Sequence, residues 1–297
     1  MWRSRLETLN FLLTNRIPRR WLTLLIGWLS PIEQPLVRVL TMAVWRAFCK
    51  LELEDARESS FRSMHACFIR ELKPGARPID ARPNVMVSPC DAIIGACGRI
   101  EKSQLLQAKG MSYTIDQLLG GPPPREWQDG LFVTLRITAA MYHRFHAPYD
   151  CEVHRVTYVS GDTWNVNPIA LARIERLFCR NERAVIEARL VPEGHRIGIV
   201  AVAAVLVASV RLHFVDVLLH LRYRGANHID CRAQVAKGAE MGWFQHGSTI
   251  IVLAPDGFAL CPGLGSGTRI RVGEALLELP DQSIEGGSHD SIGKAIP

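Results

Sequence analysis

The sequence predicts an α+β fold dominated by β-structure, with a double-sandwich or barrel-like core behind a helical N-terminal segment. Three observations predict it. The first 55 residues are rich in Leu and Trp and favour short helices. From about residue 80, short β-branched runs alternate with turn residues. Two stretches, 87–100 and 253–272, each place Pro and then Asp before a short strand and a glycine-rich turn, which indicates two related halves.

Residues 1–55 are predicted to form amphipathic helices that lie on a membrane surface. The two apolar runs, 21–30 and 37–48, are each shorter than the roughly 18 apolar residues that a spanning helix needs. Pro31 and Pro35 separate them, and several tryptophans stand close to arginines. Indole rings and cations together favour the headgroup level of a bilayer. The alternative is a helical subdomain packed on the protein's own core.

The rest of the chain divides into a β-rich domain, 56–282, and a polar, glycine-rich tail, 283–297, which is predicted to be disordered. The net charge of +6 suits an anionic partner. No nucleic-acid-binding motif accompanies the basic residues, so a nucleic acid is not expected. The eight cysteines contain no CxxC pair, which argues against a zinc ribbon or a redox motif and favours a reducing, cytosol-facing compartment.

Two histidines stand in the segment MYHRFHAPYD, 141–150. His143 and His146 are three residues apart, but no HExxH glutamate accompanies them and Pro148 follows, so no metal site is predicted. A structural hydrogen-bonding role is the ordinary alternative for either ring. The end of a strand before a proline turn is also where an acid-base group would be held rigidly and still reach a cleft.

Asp91 and Ser248 complete the set of candidate residues. Asp91 precedes a β-branched run, where an aspartate caps a turn or, beside a histidine, fixes the tautomer of that ring. The Gly247–Ser248 bond leads straight into the apolar run TIIVLAP. A serine hydroxyl there could attack the carbonyl before it, because glycine offers little obstruction. Such an attack converts a peptide bond into an ester.

These residues lie in segments that together resemble the phosphatidylserine decarboxylase proenzymes of the bacterial membrane-associated type. The segments occur in the family's order: ARPIDARPNVMVSPCDAIIGACGRI (76–100), KGMSYTIDQLLG (109–120), YHRFHAP (142–148), GDTWNVNP (161–168), LFCRNERAVI (177–186) and KGAEMGWFQHGSTIIVLAP (237–255). Histidine replaces the leucine that commonly precedes the Gly-Ser-Thr processing motif, and Pro-Cys-Asp-Ala stands where Pro-Ala-Asp-Gly is usual. Both departures keep the reacting residues, so we expect a changed processing rate rather than its loss.

The resemblance implies that Asp91, His146 and Ser248 form a charge relay for self-cleavage. His146, held by Asp91, would take the proton of the Ser248 hydroxyl, which attacks the carbonyl of Gly247. The chain would then separate into a long β chain, 1–247, and a short α chain that begins with a pyruvoyl group made from Ser248.

This pyruvoyl group is the cofactor that the resemblance implies. It would form a Schiff base with the amine of phosphatidylserine and accept the electrons left by carbon dioxide, which gives phosphatidylethanolamine. The candidates for the proton donor in that step are His143 and, in a second role, His146. The implied assembly is a heterodimer of the β chain with its own α chain, 248–297, bound peripherally to the cytoplasmic face of the cell membrane. A homodimer of that unit is the default expectation.

Three other functions agree less well with the sequence. A biotinyl or lipoyl carrier needs a lysine to modify, and no lysine lies between Lys237 and Lys294. A serine hydrolase acting through Ser248, His146 and Asp91 would leave the chain intact, and the residues around Ser248 do not match its GxSxG elbow. A non-catalytic membrane-binding relative would have no need of the three charge-relay residues.

Overall fold

The computed structural model describes residues 8, 11–12, 18–108, 110–205, 209–216, 218–220, 223–245 and 248–280. The predicted tail, 283–297, and Gly247 lie outside these residues, as does the side chain of Ser248. The helices of this part of the chain are α1 (Arg19–Leu29), α2 (Pro35–Phe48), α3 (Met64–Phe68), α4 (Ile115–Leu119), α5 (Pro168–Leu171) and α6 (Leu177–Arg180), with a 3₁₀ turn at Arg125–Trp127.

The strands of the same residues belong to four sheets and alternate with short turns, as the sequence predicts. They are β1 (Val85–Val87), β2 (Ala92–Arg99), β3 (Gln104–Ala108), β4 (Met111–Thr114), β5 (Leu131–Arg136), β6 (Arg144–His146), β7 (Cys151–Val159), β8 (Arg183–Leu190), β9 (Arg196–Ala203), β10 (Ser209–Leu212), β11 (Leu218–His220), β12 (His228–Val235), β13 (Glu240–Phe244), β14 (Ser248–Ala254), β15 (Ala259–Leu260), β16 (Arg269–Ile270) and β17 (Ala275–Glu278).

An eight-stranded antiparallel sheet forms the centre of the fold, in the order β12-β7-β8-β9-β14-β5-β2-β16. Its inner strands β9 and β14 are runs of Val, Ile, Leu and Ala that are buried on both faces, which is the composition such strands favour. Strand β14 pairs with β9 on one side and with β5 on the other. The residues that follow Gly247 therefore lie in the middle of the sheet.

Different layers cover the two faces of this sheet. Side chains alternate along each strand, so Val133 and Leu135 of β5 enter one core while Phe132 enters the other. The first core lies between the large sheet and two small sheets, ordered β11-β10-β13-β6 and β1-β17-β15. The second core is shared with α4, α5, α6 and the β3-β4 hairpin.

The predicted β-dominated fold is confirmed, whereas the predicted barrel-like closure is wrong. Among the described residues none of the four sheets closes on itself, and β12 and β16 are the edges of the large sheet. Strand β12 alternates exposed and half-buried residues along its whole length, as an edge strand with one solvated face does. The relation between the two halves, 87–100 and 253–272, stays a prediction.

Helices α1 and α2 lie within the segment predicted to dock on a membrane. Helix α2 begins at Pro35, whose fixed φ suits a first helical turn, and the side chain of Gln34 caps it. Arg19 of α1 forms an ion pair with Asp162 at 2.6 Å and stacks over the Trp164 ring, 3.5 Å from its centroid. These contacts attach α1 to the β-rich domain. No helix among the described residues is long and apolar enough to cross a membrane.

The outward faces of α1 and α2 expose large apolar side chains. Ten such side chains are exposed in the described part of the chain, and seven of them lie on these two helices: Trp21, Leu25, Trp28, Leu36, Val39, Leu40 and Val44. Trp21 is 76% and Trp28 67% exposed. We call these seven residues the apolar helix face. A concentration of this kind marks an interaction surface rather than a scatter of single residues.

Candidate active site

His146 ends strand β6 and is hydrogen-bonded at both ring nitrogens. Its Nδ1 lies 2.9 Å from the carbonyl oxygen of Gly238, and its Nε2 lies 3.1 Å from the hydroxyl of Tyr142. A carbonyl only accepts, so Nδ1 carries the proton and donates, and Nε2 of the neutral ring accepts from Tyr142. Burial lowers the pKa of His146, so the ring is neutral near pH 7. Its basic lone pair is therefore on Nε2, where it accepts from Tyr142 and where a general base would take up a proton.

Main-chain contacts fix the position of His146. Its N–H donates to the carbonyl of Pro89 at 2.8 Å, which places the turn before β2 beside the histidine. Gly238 turns the chain at φ +79°, a conformation that glycine adopts without strain. A Cβ at Gly238 would lie 2.7 Å from Ile79 Cγ1. A side chain at position 238 would therefore press on Ile79 and shift the backbone whose carbonyl accepts from His146.

Tyr142 is a site residue that the sequence analysis did not single out. Its hydroxyl donates to His146, and the two ring centroids are 5.8 Å apart. Burial raises the pKa of Tyr142 well above its ordinary value, so the phenol stays protonated and remains a donor. Tyr142 also lines a cavity of about 570 Å³ that reaches Asp91. The sequence could have pointed to Tyr142 as a site residue, because it is the first residue of the YHRFHAP segment.

Asp91 lies in the turn between β1 and β2 and is only 2% exposed. Arg77 forms an ion pair with its carboxylate. Nε donates to Oδ1 and Oδ2 at 2.9 and 3.1 Å, and Nη2 donates to Oδ2 at 2.6 Å. The N–H of Val272 donates to Oδ1 at 2.9 Å. Charge-assisted bonds of this fork geometry are among the strong ones in proteins. The buried negative charge is therefore compensated, and its orientation is fixed.

The structure brings Asp91 and His146 into one region without a direct bond. No hydrogen bond joins the two residues, both of which the structure describes. Burial lowers the pKa of His146, and the negative charge of Asp91 offsets part of that shift through space, without a hydrogen bond. Tyr142 contacts His146 and lines the same cavity as Asp91. The predicted role of Asp91 in holding His146 stays a prediction.

His143 is fully buried and stands between the β-rich domain and the N-terminal helices. Its ring lies 4.0 Å from the ring of Phe68, centroid to centroid, and Phe68 stacks in turn on Trp45 of α2 at 5.2 Å. The carbonyl of His143 accepts from the N–H of Phe244 at 3.1 Å. Phe244 precedes Gly247 by three residues, so His143 lies beside the segment that leads to the predicted cleavage point.

Ser248 begins the central strand β14. Its main chain pairs with Ala203 of β9, and Thr249 pairs with Val202 on that side and with Arg136 of β5 on the other. Thr249 is fully buried. The backbone directly after the predicted cleavage point is therefore held from both sides. The cleavage bond itself involves Gly247, so its geometry lies outside the described residues.

An apolar groove of about 700 Å³ lies between α1 and α2 on one side and the ends of β5 and β9 on the other. Its walls include Trp45 and Phe68, the two rings that stack toward His143. Arg136 and Ala204 also line it. Arg136 pairs with the residue after Ser248, and Ala204 follows the residue that pairs with Ser248. The groove thus connects the apolar helix face with the start of β14.

Comparison with known proteins identifies the family of this fold. Residues 64–278 match the family model described as phosphatidylserine decarboxylase. The chain belongs to the phosphatidylserine decarboxylase family. It is 36% identical over 291 residues to the phosphatidylserine decarboxylase proenzyme of Dickeya dadantii (strain 3937), covering 94% of this chain and 95% of that one. Identity to the proenzyme of Yersinia enterocolitica is 33% over 288 residues, or 92% and 97% of the two chains. The proenzyme of Yersinia pestis (strain Pestoides F) is 31% identical over the same shares.

The family assignment made from the sequence segments is thereby confirmed. The matched region of the phosphatidylserine decarboxylase family includes Asp91, His143, His146 and Ser248. The structure adds Arg77 and Tyr142, which contact Asp91 and His146 directly.

Proposed function

We propose that this chain is a proenzyme that cleaves itself between Gly247 and Ser248 and then decarboxylates phosphatidylserine to phosphatidylethanolamine. Membership of the phosphatidylserine decarboxylase family and the proenzyme names of its relatives support this function. The observation that supports it best is the apolar groove, which runs from exposed helices to the start of β14. A groove of this shape suits a substrate with a polar headgroup and acyl chains that remain in a bilayer.

His146 is the base for self-cleavage in this proposal. Its neutral ring has Nδ1 fixed as a donor to Gly238, so Nε2 is the nitrogen that takes the proton of the Ser248 hydroxyl, in place of its hydrogen bond from Tyr142. The hydroxyl oxygen adds to the carbonyl carbon of Gly247, and the peptide C–N bond breaks to give an ester and a free amino group at position 248. Elimination releases the Gly247 carboxylate and leaves dehydroalanine, which takes up water and loses ammonia to become the pyruvoyl group.

The residues around β14 suit a pyruvoyl group at position 248. The strand is paired on both sides and Thr249 is buried, so a chain end created there stays fixed in the sheet. The groove at that end gives a lipid amine a route to it. A pyruvoyl group supplies an electrophilic carbonyl that can condense with a primary amine and draw electrons from the bond to a carboxylate.

His143 is the candidate proton donor for decarboxylation. The substrate carbon that loses its carboxylate must regain a proton, and His143 lies behind Phe68 at the wall of the groove. General acid assistance of this kind is worth roughly 10²- to 10⁴-fold in rate. His143→Ala should therefore cleave itself normally and turn over slowly, whereas His146→Ala should remain a single chain.

The apolar helix face would dock the enzyme on the membrane, on its cytoplasmic side. Replacing Trp21 and Trp28 by serine should weaken binding to vesicles of phosphatidylserine and phosphatidylcholine by about tenfold or more. If the two indoles together bury as little as about 60 Å² of apolar surface in the bilayer, their loss costs roughly 1.5 kcal/mol of binding free energy, which is about tenfold in affinity. Leu106→Ser is a matched control, since Leu106 is 46% exposed but lies on the β3-β4 hairpin. Equal loss in both variants would reject these helices as the docking site.

Intact-mass spectrometry under denaturing conditions tests the central proposal. We expect two chains divided between Gly247 and Ser248, the shorter beginning with a pyruvoyl mass and no free amine. Ser248→Ala should give one chain of 33.2 kDa. The divided protein should then release carbon dioxide from phosphatidylserine in detergent micelles. A wild-type chain that stays whole and hydrolyses esters would point to a serine hydrolase instead.

A further inference from the structure

Arg136 differs from the other buried arginines of the fold. Arg183, for example, donates its guanidinium hydrogens to four backbone carbonyls, and Arg77 pairs with Asp91 and Asp55. Arg136 is half-buried, yet among the described residues no hydrogen bond or ion pair involves its side chain. Keeping an uncompensated cation out of water is costly, and burial lowers the pKa of Arg136 accordingly. Such a group is suited to an anion that arrives from outside.

The position of Arg136 indicates where that anion would come from. Among the described residues that line the apolar groove, Arg136 alone carries a charge. It is the last residue of β5, and its main chain pairs with Thr249, the neighbour of Ser248. Paired strands lie about 4.8 Å apart. The amine and the phosphorus of a phosphoserine headgroup are separated by four bonds, or about 5 Å at bond lengths near 1.5 Å. The main chain of Arg136 is thus about one headgroup length from that of the residue next to the predicted reaction centre, and its side chain lines the groove that leads there.

We propose that Arg136 binds the phosphate of the phospholipid headgroup and so positions the substrate amine at residue 248. This inference rests on the proposed function. A guanidinium matches two phosphate oxygens with two parallel N–H donors. The substrate carboxylate is the other anion available, but an ion pair to it would stabilise the ground state more than the transition state in which the carboxylate loses its charge. Such binding would oppose decarboxylation. The phosphate keeps its charge throughout the reaction.

The test compares Arg136→Gln, Arg136→Lys and the control Arg99→Gln. Arg99 pairs with Leu131, at the opposite end of β5, and its exposed side chain contacts Asp256, so this control also removes one positive charge. Denaturing gels first establish that each variant cleaves itself. Steady-state rates then follow in neutral detergent micelles, with phosphatidylserine as substrate and phosphatidylethanolamine, which has the phosphate but lacks the carboxylate, as a competing inhibitor.

We expect Arg136→Gln to cleave itself fully, to keep kcat within about threefold and to raise KM by about 10- to 100-fold, as loss of a charge-assisted bond predicts. Its inhibition constant for phosphatidylethanolamine should weaken by the same factor. Arg136→Lys should fall between wild type and Arg136→Gln, and Arg99→Gln should match wild type.

Two results would overturn the role of Arg136 while leaving the proposed function intact. One is an unchanged KM in Arg136→Gln. The other is a raised KM for phosphatidylserine with unchanged inhibition by phosphatidylethanolamine, which would assign Arg136 to the carboxylate. A wild-type protein that cleaves itself but leaves phosphatidylserine unchanged would instead reject the proposed function, and this role for Arg136 with it.

Discussion

Replacing Arg77 by methionine should destabilise the protein by about 3 to 5 kcal/mol. The substitution leaves the Asp91 carboxylate, 2% exposed, with the N–H of Val272 as its remaining hydrogen-bond donor among the described residues. Breaking a buried ion pair by removing one partner costs this much because a buried charge is left uncompensated. The bond from Arg77 to Asp55 is also lost, but that carboxylate is 43% exposed and water replaces the bond at little cost.

The chain contains a matched control for this prediction. Arg82 donates the same three hydrogen bonds to Asp80, at 3.1, 3.0 and 2.6 Å, but the side chain of Arg82 is 56% exposed and that of Asp80 is 21% exposed. An exposed pair is worth about 0 to 1 kcal/mol. Arg82→Met should therefore destabilise the protein far less than Arg77→Met does, although the geometry of the lost interaction is nearly identical.

Urea unfolding at pH 7 of proteins that also bear Ser248→Ala measures both effects in an undivided chain. A further variant, Arg77→Met with Asp91→Asn, removes the stranded charge and should recover about half of the loss. Equal destabilisation by Arg77→Met and Arg82→Met would refute the reasoning from burial. A double variant less stable than Arg77→Met alone would refute the reasoning from the uncompensated charge.

Three further predictions concern pH and the local geometry of the site. The Tyr142 hydroxyl donates to the neutral ring of His146 and so favours that form. Tyr142→Phe removes this bond and should raise the pKa of His146, which moves the pH midpoint of self-cleavage upward. Gels that follow processing against pH would refute this by showing an unchanged midpoint. Gly238→Ala should slow self-cleavage about tenfold, which corresponds to a barrier about 1.4 kcal/mol higher, because it moves the carbonyl that fixes His146. Gly75 is the control: it has a similar φ of +78°, but a Cβ there would meet nothing within 4 Å, so Gly75→Ala should leave the rate unchanged. Burial raises the pKa of Glu182 to about 7 from an ordinary value of 4.5, so the free energy of unfolding should fall by up to about 3 kcal/mol as pH rises between these values. In urea unfolding from pH 5 to 8, Glu182→Gln should not show this fall. The same dependence on pH in the variant and the wild type would contradict the prediction.

Local sequence patterns predicted the parts of the fold that depend on local chemistry. The apolar runs of the first 55 residues gave α1 and α2, and the alternation with turn residues gave the strands. The barrel-like closure was wrong because closure depends on hydrogen bonds between β12 and β16. Alternation within each strand says nothing about which strand is its partner.

The same distinction applies to the site. Asp91 and His146 could be named from their segments, since each segment is characteristic of the family. Val272 could not, because it meets Asp91 from 181 residues away. Arg77 stands in the same segment as Asp91, but only the folded chain shows that its guanidinium contacts that carboxylate. Arg136 was missed for a related reason. A single arginine in a strand becomes unusual only once two facts are known: the apolar groove around it, and the absence of a partner for it among the residues that the structure describes.

The central position of β14 has a consequence for the life of the molecule. Before the proposed cut, β14 enters the sheet as part of the same polypeptide as β9 and β5, and its effective concentration near them is set by the chain. Afterwards the 50 residues from Ser248 onward are held only by non-covalent contacts, and finding their place again becomes a second-order reaction. The precursor can fold at any dilution, but the mature enzyme, once unfolded, should refold with a yield that falls with dilution. Maturation would thus make the folding of this protein an event that happens once.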